Sequence, residues 1–188
     1  EGAAVVTIAA FILGQLTLRA SISLCHPAHN KWVSTSPPES IWAENIVGQA
    51  FARQSPIITI GDVWTSAGTG TKDILHEIAA ITITKTLTGN HPHGVGATNG
   101  KFPHGSGLDA RFMGEVAHAT YNQNISFERG NEIVCELVSR YEDKFSDPDL
   151  GKPYNEVYDV ETVTPKDWWM DLFNETKSEF KKDFGLIL

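Results

Sequence analysis

Residues 55–89, SPIITIGDVWTSAGTGTKDILHEIAAITITKTLTG, spell out one complete strand, loop and helix, and their reading decides the fold. Residues 56–60 are a short, β-branched apolar run, the composition of a strand covered on both faces within a parallel sheet. Asp62 and Trp64 follow it directly. The polar stretch 61–71 carries Gly68 and Gly70, which let the backbone turn sharply. Thr71 with Asp73 supplies a helix start, and Gly89 suits a C-terminal stop. Parallel α/β folds bind ligands at the carboxyl ends of their strands, so residues 61–71 are where chemistry is to be sought.

Outward from this unit, helices and strands alternate. Residues 3–19 read as a buried helix, and residues 21–24 as a short strand ending at Cys25-His26-Pro27. Residues 39–54 read as a helix behind Pro37-Pro38, and residues 89–107 as a loop rich in Gly, His and Pro. Residues 109–122 read as a further helix with Met113, Val116 and Ala117 at helical spacing. Such alternation is the signature of βα units on a parallel sheet, and strands 21–24 and 57–60 are expected to be parallel neighbours joined by a right-handed helical crossover. A barrel needs eight strands and only two or three are visible, so a preceding segment is expected to complete the sheet. The opening Glu1, without methionine, reads as if the sequence began inside a larger protein.

The last third differs. Residues 126–145 and 165–184 read as amphipathic helices, with Ile133, Leu137, Val138 and Tyr141 on one and Trp168, Trp169, Leu172, Phe173 and Phe180 on the other, as packing stripes. Residues 146–164 read as a loop, and Thr164-Pro165 as a helix start with Pro at the first helical position. The expected division is 1–122, barrel βα units, and 123–188, a helical extension packing on them.

Composition narrows the function. The 188 residues are 41% hydrophobic and carry a net charge of −8, which argues against a nucleic-acid partner needing a basic face. The apolar run 3–18 contains Thr7, Gly14, Gln15 and Thr17 and is short for a membrane span. It also lacks the basic leader of a signal peptide, so no membrane association and a cytoplasmic location are expected. Cys25 and Cys135 form no CxxC pair, and reduced thiols are the default. Neither Cys25 with His26 and His29 nor His91 with His93 and His104 has zinc-site spacing, so no metal site is expected. Gly68-Thr69-Gly70-Thr71-Lys72 lacks the spacing of a phosphate loop and reads as a plain helix start.

Four segments carry a resemblance: HNKWVSTSPPES (29–40), SAGTGTKDILHEIAA (66–80), GLDARFMGEVAHAT (107–120) and GKPYNEVYDVETVTP (151–165), followed by the ending DFGLIL. In order and spacing they resemble the carboxyl-terminal part of the monomethylamine methyltransferases of methylotrophic methanogens. The resemblance implies an α/β fold, the C-terminal portion of a (β/α)8 TIM barrel with additional C-terminal helices. It also implies transfer of the methyl group of monomethylamine, or a related amine, to the Co(I) corrinoid carried by a partner protein. The family's pyrrolysine would lie upstream of Glu1, so the partners implied are the N-terminal half of the same enzyme and a cognate corrinoid protein. A homo-oligomer is expected.

At the strand end where the family places a Gln and a Tyr, this sequence has Asp62 and Trp64. An acid and an indole there suit a cationic amine, and these two are the expected catalytic residues. His29 and Trp32 follow the preceding strand end and are the expected substrate-binding residues on position alone. The loop 89–107 is the expected rim for the corrinoid protein, its tip at residues 91–95. Two other readings stay open: a metal-dependent barrel enzyme using the His-rich loop, and a non-catalytic assembly subunit.

Overall fold

The computed structural model describes residues 1–24 and 26–188, so readings that involve Cys25 lie outside the described residues. Three strands form one sheet in the order β1 (Ile22–Leu24), β2 (Ile58–Val63), β3 (His91–Val95), and both pairings are parallel. Ile22 lies opposite Ile58, and Ile60 opposite His91. The helices between them are α2 (Pro38–Gln54) and α3 (Lys72–Thr88), preceded by α1 (Gly2–Leu18) and followed by α4 (Gly107–Asn122). The expected parallel pairing of the first two strands is therefore present.

The α3 helix starts as its sequence dictates. The Thr71 hydroxyl accepts from the Ile74 amide at 3.2 Å, and Gly89 closes the other end in the left-handed region at φ 79°. Its middle is apolar nearly all round, which is the pattern of a central helix. Residues 74 to 85 are all buried, because α3 packs against α2, α4, α5 (Phe127–Ser139) and α7 (Asp167–Phe184) as well as the sheet. One apolar core runs from Val63 and Ile78 through Phe112, Leu137 and Tyr141 to Trp169, Phe173 and Phe180. The stripes expected on the last two helices thus supply packing, with Trp168 left at the surface.

Six local readings are corrected. The helix expected to be buried, α1, buries only Ala4 and Phe11, against Ala43, Val47 and Phe51 of α2; Val5, Val6, Leu13, Leu16 and Leu18 are exposed. A helix apolar on every side signals that it will be covered, and among the described residues only α2 covers part of it. Residues 91–95, read as a loop tip, are strand β3, which the pairing with β2 imposes on a Pro- and Gly-containing run of weak strand propensity. The β2 strand extends to Val63, so Asp62 lies within it rather than after it. The helix read over 126–145 ends at Ser139, followed by a 3-10 turn at Glu142–Lys144.

The stretch 146–164, read as a loop, contains α6 (Tyr154–Val157) and β4 (Tyr158–Asp159). The latter pairs antiparallel with β5 (Thr164–Pro165). Pro165 therefore sits in β5, and α7 starts at Asp167.

Gly68 and Gly70 owe their identity to chain approach. A Cβ on Gly68 would lie 1.9 Å from the Leu150 carbonyl oxygen, and Gly70 has φ 87° against the Trp168 ring. The Gly68 amide donates to the Asp149 carbonyl at 2.9 Å, and Lys152 donates to Thr69 at 3.0 Å. This loop is tied by backbone to the segment before α6.

Candidate active site

Alternation along β2 divides the sheet. Thr59, Gly61 and Val63 are buried on the helix side, whereas Ile58, Ile60 and Asp62 turn to the other face. Ile22 and Leu24 of β1 share that second face, with 50% and 43% of their surface exposed, as do His91 and His93 of β3. Among the described residues no helix covers this side. In a barrel it is the inward face, and Asp62 and His93 lie at its carboxyl end.

Asp62 Oδ1 meets His93 Nδ1 at 2.7 Å across the two strands. A carboxylate only accepts, so the contact requires the Nδ1–H form of His93, in whose neutral tautomer the lone pair lies on Nε2. Behind the sheet lies a second charged pair. Glu44 of α2 and Lys85 of α3 bond to each other fully buried, and burial pushes the Glu44 carboxyl up while Lys85 pulls it back down. The Asp62 charge adds to the upward push on Glu44.

Trp64 is held by its backbone and by both faces of its ring. Its amide donates to the Thr35 hydroxyl at 3.0 Å, and its carbonyl accepts from the Thr35 amide at 2.8 Å. The indole stacks on His26 with ring centroids 5.6 Å apart. On another side it lies so close to Gly96 that a Cβ there would come within 2.4 Å of the indole Cδ1 and Nε1. Gly96→Ala is therefore expected to push the ring out of its seat at about 1–3 kcal/mol of overpacking. A shifted Trp64 indole N–H resonance, with most other amide resonances unmoved, is the result to look for; an unmoved indole contradicts this account.

His29 and Trp32 stand at the same end of the sheet but make a separate group. His29 Nδ1 accepts from the Lys31 and Trp32 amides at 3.2 and 3.4 Å, its ring stacks on Trp32 at 6.2 Å, and Trp32 stacks on Phe145 at 6.1 Å. Among the described residues no hydrogen bond or ring contact joins the His29–Trp32 side chains to those of Asp62 or Trp64; the link runs through the backbone at Thr35. The structure pairs Asp62 with His93 and Trp64 with His26.

Two functional features escape a reading of the sequence alone. His93 becomes visible only through the β2–β3 register. Glu77, a lone acid inside the apolar run of α3, leaves a signal in the sequence: it is 2% exposed and pins the loop after Trp64. Its carboxylate accepts from the Ser66 amide at 2.6 Å, the Ala67 amide at 2.8 Å and the Ser36 hydroxyl, while Tyr141 Oη donates to the Ser36 carbonyl at 3.0 Å. Burial pushes Glu77 up to about 7 against these three bonds.

The His-rich loop disperses its imidazoles. His104 Nδ1 bonds the Leu150 carbonyl at 2.7 Å, far in sequence from the Asp62 partnership of His93. Among the described residues no group of three or more His, Cys, Asp or Glu is placed to hold a metal ion. Nor is any helix among them long and apolar enough to cross a membrane.

The family model described as monomethylamine methyltransferase MtmB matches residues 1–186. The chain belongs to the MtmB family. It is 32% identical over 189 residues to monomethylamine methyltransferase MtmB2 of Methanosarcina barkeri, and 30% identical to MtmB of Methanosarcina mazei. In each case the whole chain is covered but only 41% of the relative, so the chain spans about two fifths of the length of these relatives. The crystal structure of the Methanosarcina barkeri enzyme superposes with a TM-score of 0.90 at 30% identity, covering 98% of this chain and 40% of that one. The crystal structure of the hydroxylamine MtmB complex matches equally well. The α/β unit is thus the C-terminal portion of the family's (β/α)8 barrel with its additional helices. That placement accounts for a sheet with one uncovered face and for an apolar first helix with most of its surface bare.

Proposed function

We propose that this MtmB-family chain forms the C-terminal part of a methylamine:corrinoid protein methyltransferase, which takes the methyl group of monomethylamine or a related amine. The observation that carries this reading is the Asp62 carboxylate, set beside Trp64 at the carboxyl end of the uncovered sheet face, in a chain matched to the family over residues 1–186. An acid at that position attracts a small ammonium ion, and an indole two residues along stands at the same strand end. The remaining wall of the cavity would come from an upstream half, whose natural seat is the bare face of Ile22, Leu24 and Ile58 together with the exposed side of α1.

Two groups that the family implies lie outside these residues. The pyrrolysine side chain supplies an electrophilic imine and the partner's corrinoid a methyl-accepting cobalt. Asp62 and Trp64 suit a small cationic amine, because both are part-buried at the carboxyl end of β2 and neither belongs to the apolar core. What this chain does is hold and orient the amine, while Glu77 and Thr35 fix the loop that carries Trp64.

The corrinoid protein needs an open mouth, and the rim is assigned to residues 96–106 rather than to the strand residues 91–95. Val95, Pro103, Ser106 and Tyr154 line a concavity of about 510 Å³ there. His29 and Trp32 remain proposed as part of the mouth's wall on the side of the first loop.

Asp62→Asn at full encoded length is expected to lower methyl transfer from methylamine about 10- to 100-fold, the worth of one charge-assisted contact. Thermal stability should stay within about 0.5 kcal/mol, since the side chain is outside the core. Unchanged kcat/KM in the variant would remove Asp62 from the site.

A further inference from the structure

The geometry points to His93 as the general base that converts bound alkylammonium to free amine, with Asp62 as its orienting carboxylate; the substrate class rests on the function proposed above. Three observations lead there. His93 and Asp62 come from neighbouring strands, on the face that no helix among the described residues covers, and at its carboxyl end. The 2.7 Å contact is made through Nδ1, so in the neutral tautomer the lone pair lies on Nε2, to which no hydrogen bond is made among the described residues. The His93 side chain is 59% exposed, so a small cation can reach it.

The chemistry requires such a group. At neutral pH a simple alkylamine is protonated, and its nitrogen has no lone pair with which to attack an electrophile. In the proposed step one N–H bond of the ammonium breaks and its electron pair remains on nitrogen. The proton forms a bond to His93 Nε2, and the resulting imidazolium is held by the Asp62 carboxylate. Charge is conserved within the cavity, and the proton later leaves to water over the exposed ring. A carboxylate behind a histidine, with the far nitrogen facing the reacting group, is the arrangement that fixes the tautomer and favours the charged product.

The groups that bear on the pair come from each packed element. They are Asp62 on β2, His91 on the same face of β3, and Glu44 of α2, whose charge is met by Lys85 of α3. None is placed to compete for Nε2. Gly94, next along the strand, leaves the pair room: a Cβ there would lie 3.9 Å from Asp62 Oδ1.

The variant His93→Gln keeps a donor for Asp62 but cannot take up a proton. At full encoded length and pH 7 it should lose about 100-fold or more in kcat/KM for methylamine, the usual worth of a general base. The deficit should shrink steadily toward pH 10, where the amine, like a lysine side chain with its pKa of about 10.4, sheds its own proton. A purely structural role predicts the same deficit at every pH, and that result, or no deficit at all, overturns the base.

A second measurement does not depend on turnover. In ¹⁵N spectra of the protein at full encoded length, neutral His93 should be the Nδ1–H tautomer, and Asp62→Asn should mix the two tautomers. An Nε2–H tautomer in the wild type overturns the proposal whatever the kinetics. A wild type that shows the Nδ1–H tautomer yet never demethylates methylamine sinks the amine reading, and with it the substrate assigned to this base.

Discussion

Lys85→Met is expected to destabilise the chain by about 3–5 kcal/mol at pH 8, a large share of the 5–15 kcal/mol that holds an ordinary domain together. Lys85 is entirely buried and its ammonium bonds Glu44, itself 1% exposed. Removing the cation leaves a carboxylate in an apolar setting, with its second oxygen already without a partner. Glu44 can escape only by taking up a proton, and burial already pushes it in that direction. The sign follows: with the folded value raised further, the variant's deficit is smallest below the unfolded carboxyl range and grows as pH rises through and above it. Urea unfolding at pH 5 and pH 8 reads this out. The double variant Glu44→Leu/Lys85→Met should recover most of the loss, since a buried pair is often no better than an apolar one of equal volume. Equal deficits at both pH values would show that the pair is not ionised.

The second large effect concerns Glu77. Its folded value of about 7 stands above the ordinary 4.5, and each pH unit of that difference is worth about 1.4 kcal/mol, about 3 kcal/mol in all. Below pH 4.5 the acid is protonated in both folded and unfolded chains and contributes no pH dependence. Between 4.5 and 7 the unfolded chain loses its proton first, so stability falls with rising pH, and above 7 the loss is complete.

Glu77→Gln is always neutral and cannot follow that fall. Its amide group faces one of the loop amides now bonded to the carboxylate, which orphans a buried donor at a cost of about 1–3 kcal/mol. The variant should therefore be less stable than the wild type at pH 4.5 and should equal or overtake it by pH 8. The gap between them should change by about 3 kcal/mol across the range. A constant gap would mean that Glu77 is ionised throughout.

Much of this architecture can be read from the chain. The run ending at Ile60, the glycines before Thr71 and the long apolar helix closed by Gly89 define a βα unit from local chemistry alone. The four quoted segments lead to the family and through it to the barrel. Strand β3 could not be read that way, because His91-Pro92-His93-Gly94-Val95 has poor strand propensity and is made a strand by its neighbour. The exposure of α1 was equally out of reach: an apolar helix states that it will be covered, not by what. Asp62 and Trp64 stand out in the sequence by their place near a strand end, and their role there belongs to the function proposed above. The partner of Asp62 was not legible, since only the register of two strands thirty residues apart brings His93 to it, and Gly96 becomes meaningful only once Trp64 lies against it.

The burial of α3 on every side has a consequence in time. The helix that anchors the loop after Trp64 bonds Glu179 from His76 across a separation of 103 residues, and Ser36 receives Tyr141 across 105. At roughly 5–20 residues per second of synthesis, a ribosome needs about 5–20 s between making each end of such a contact. Throughout that interval the apolar sides of α3 that α5 and α7 will cover remain wet. The packing around α3 therefore cannot close until Phe180 has been made, and a chain cut short before Glu179 leaves His76 without its carboxylate partner and one side of α3 bare.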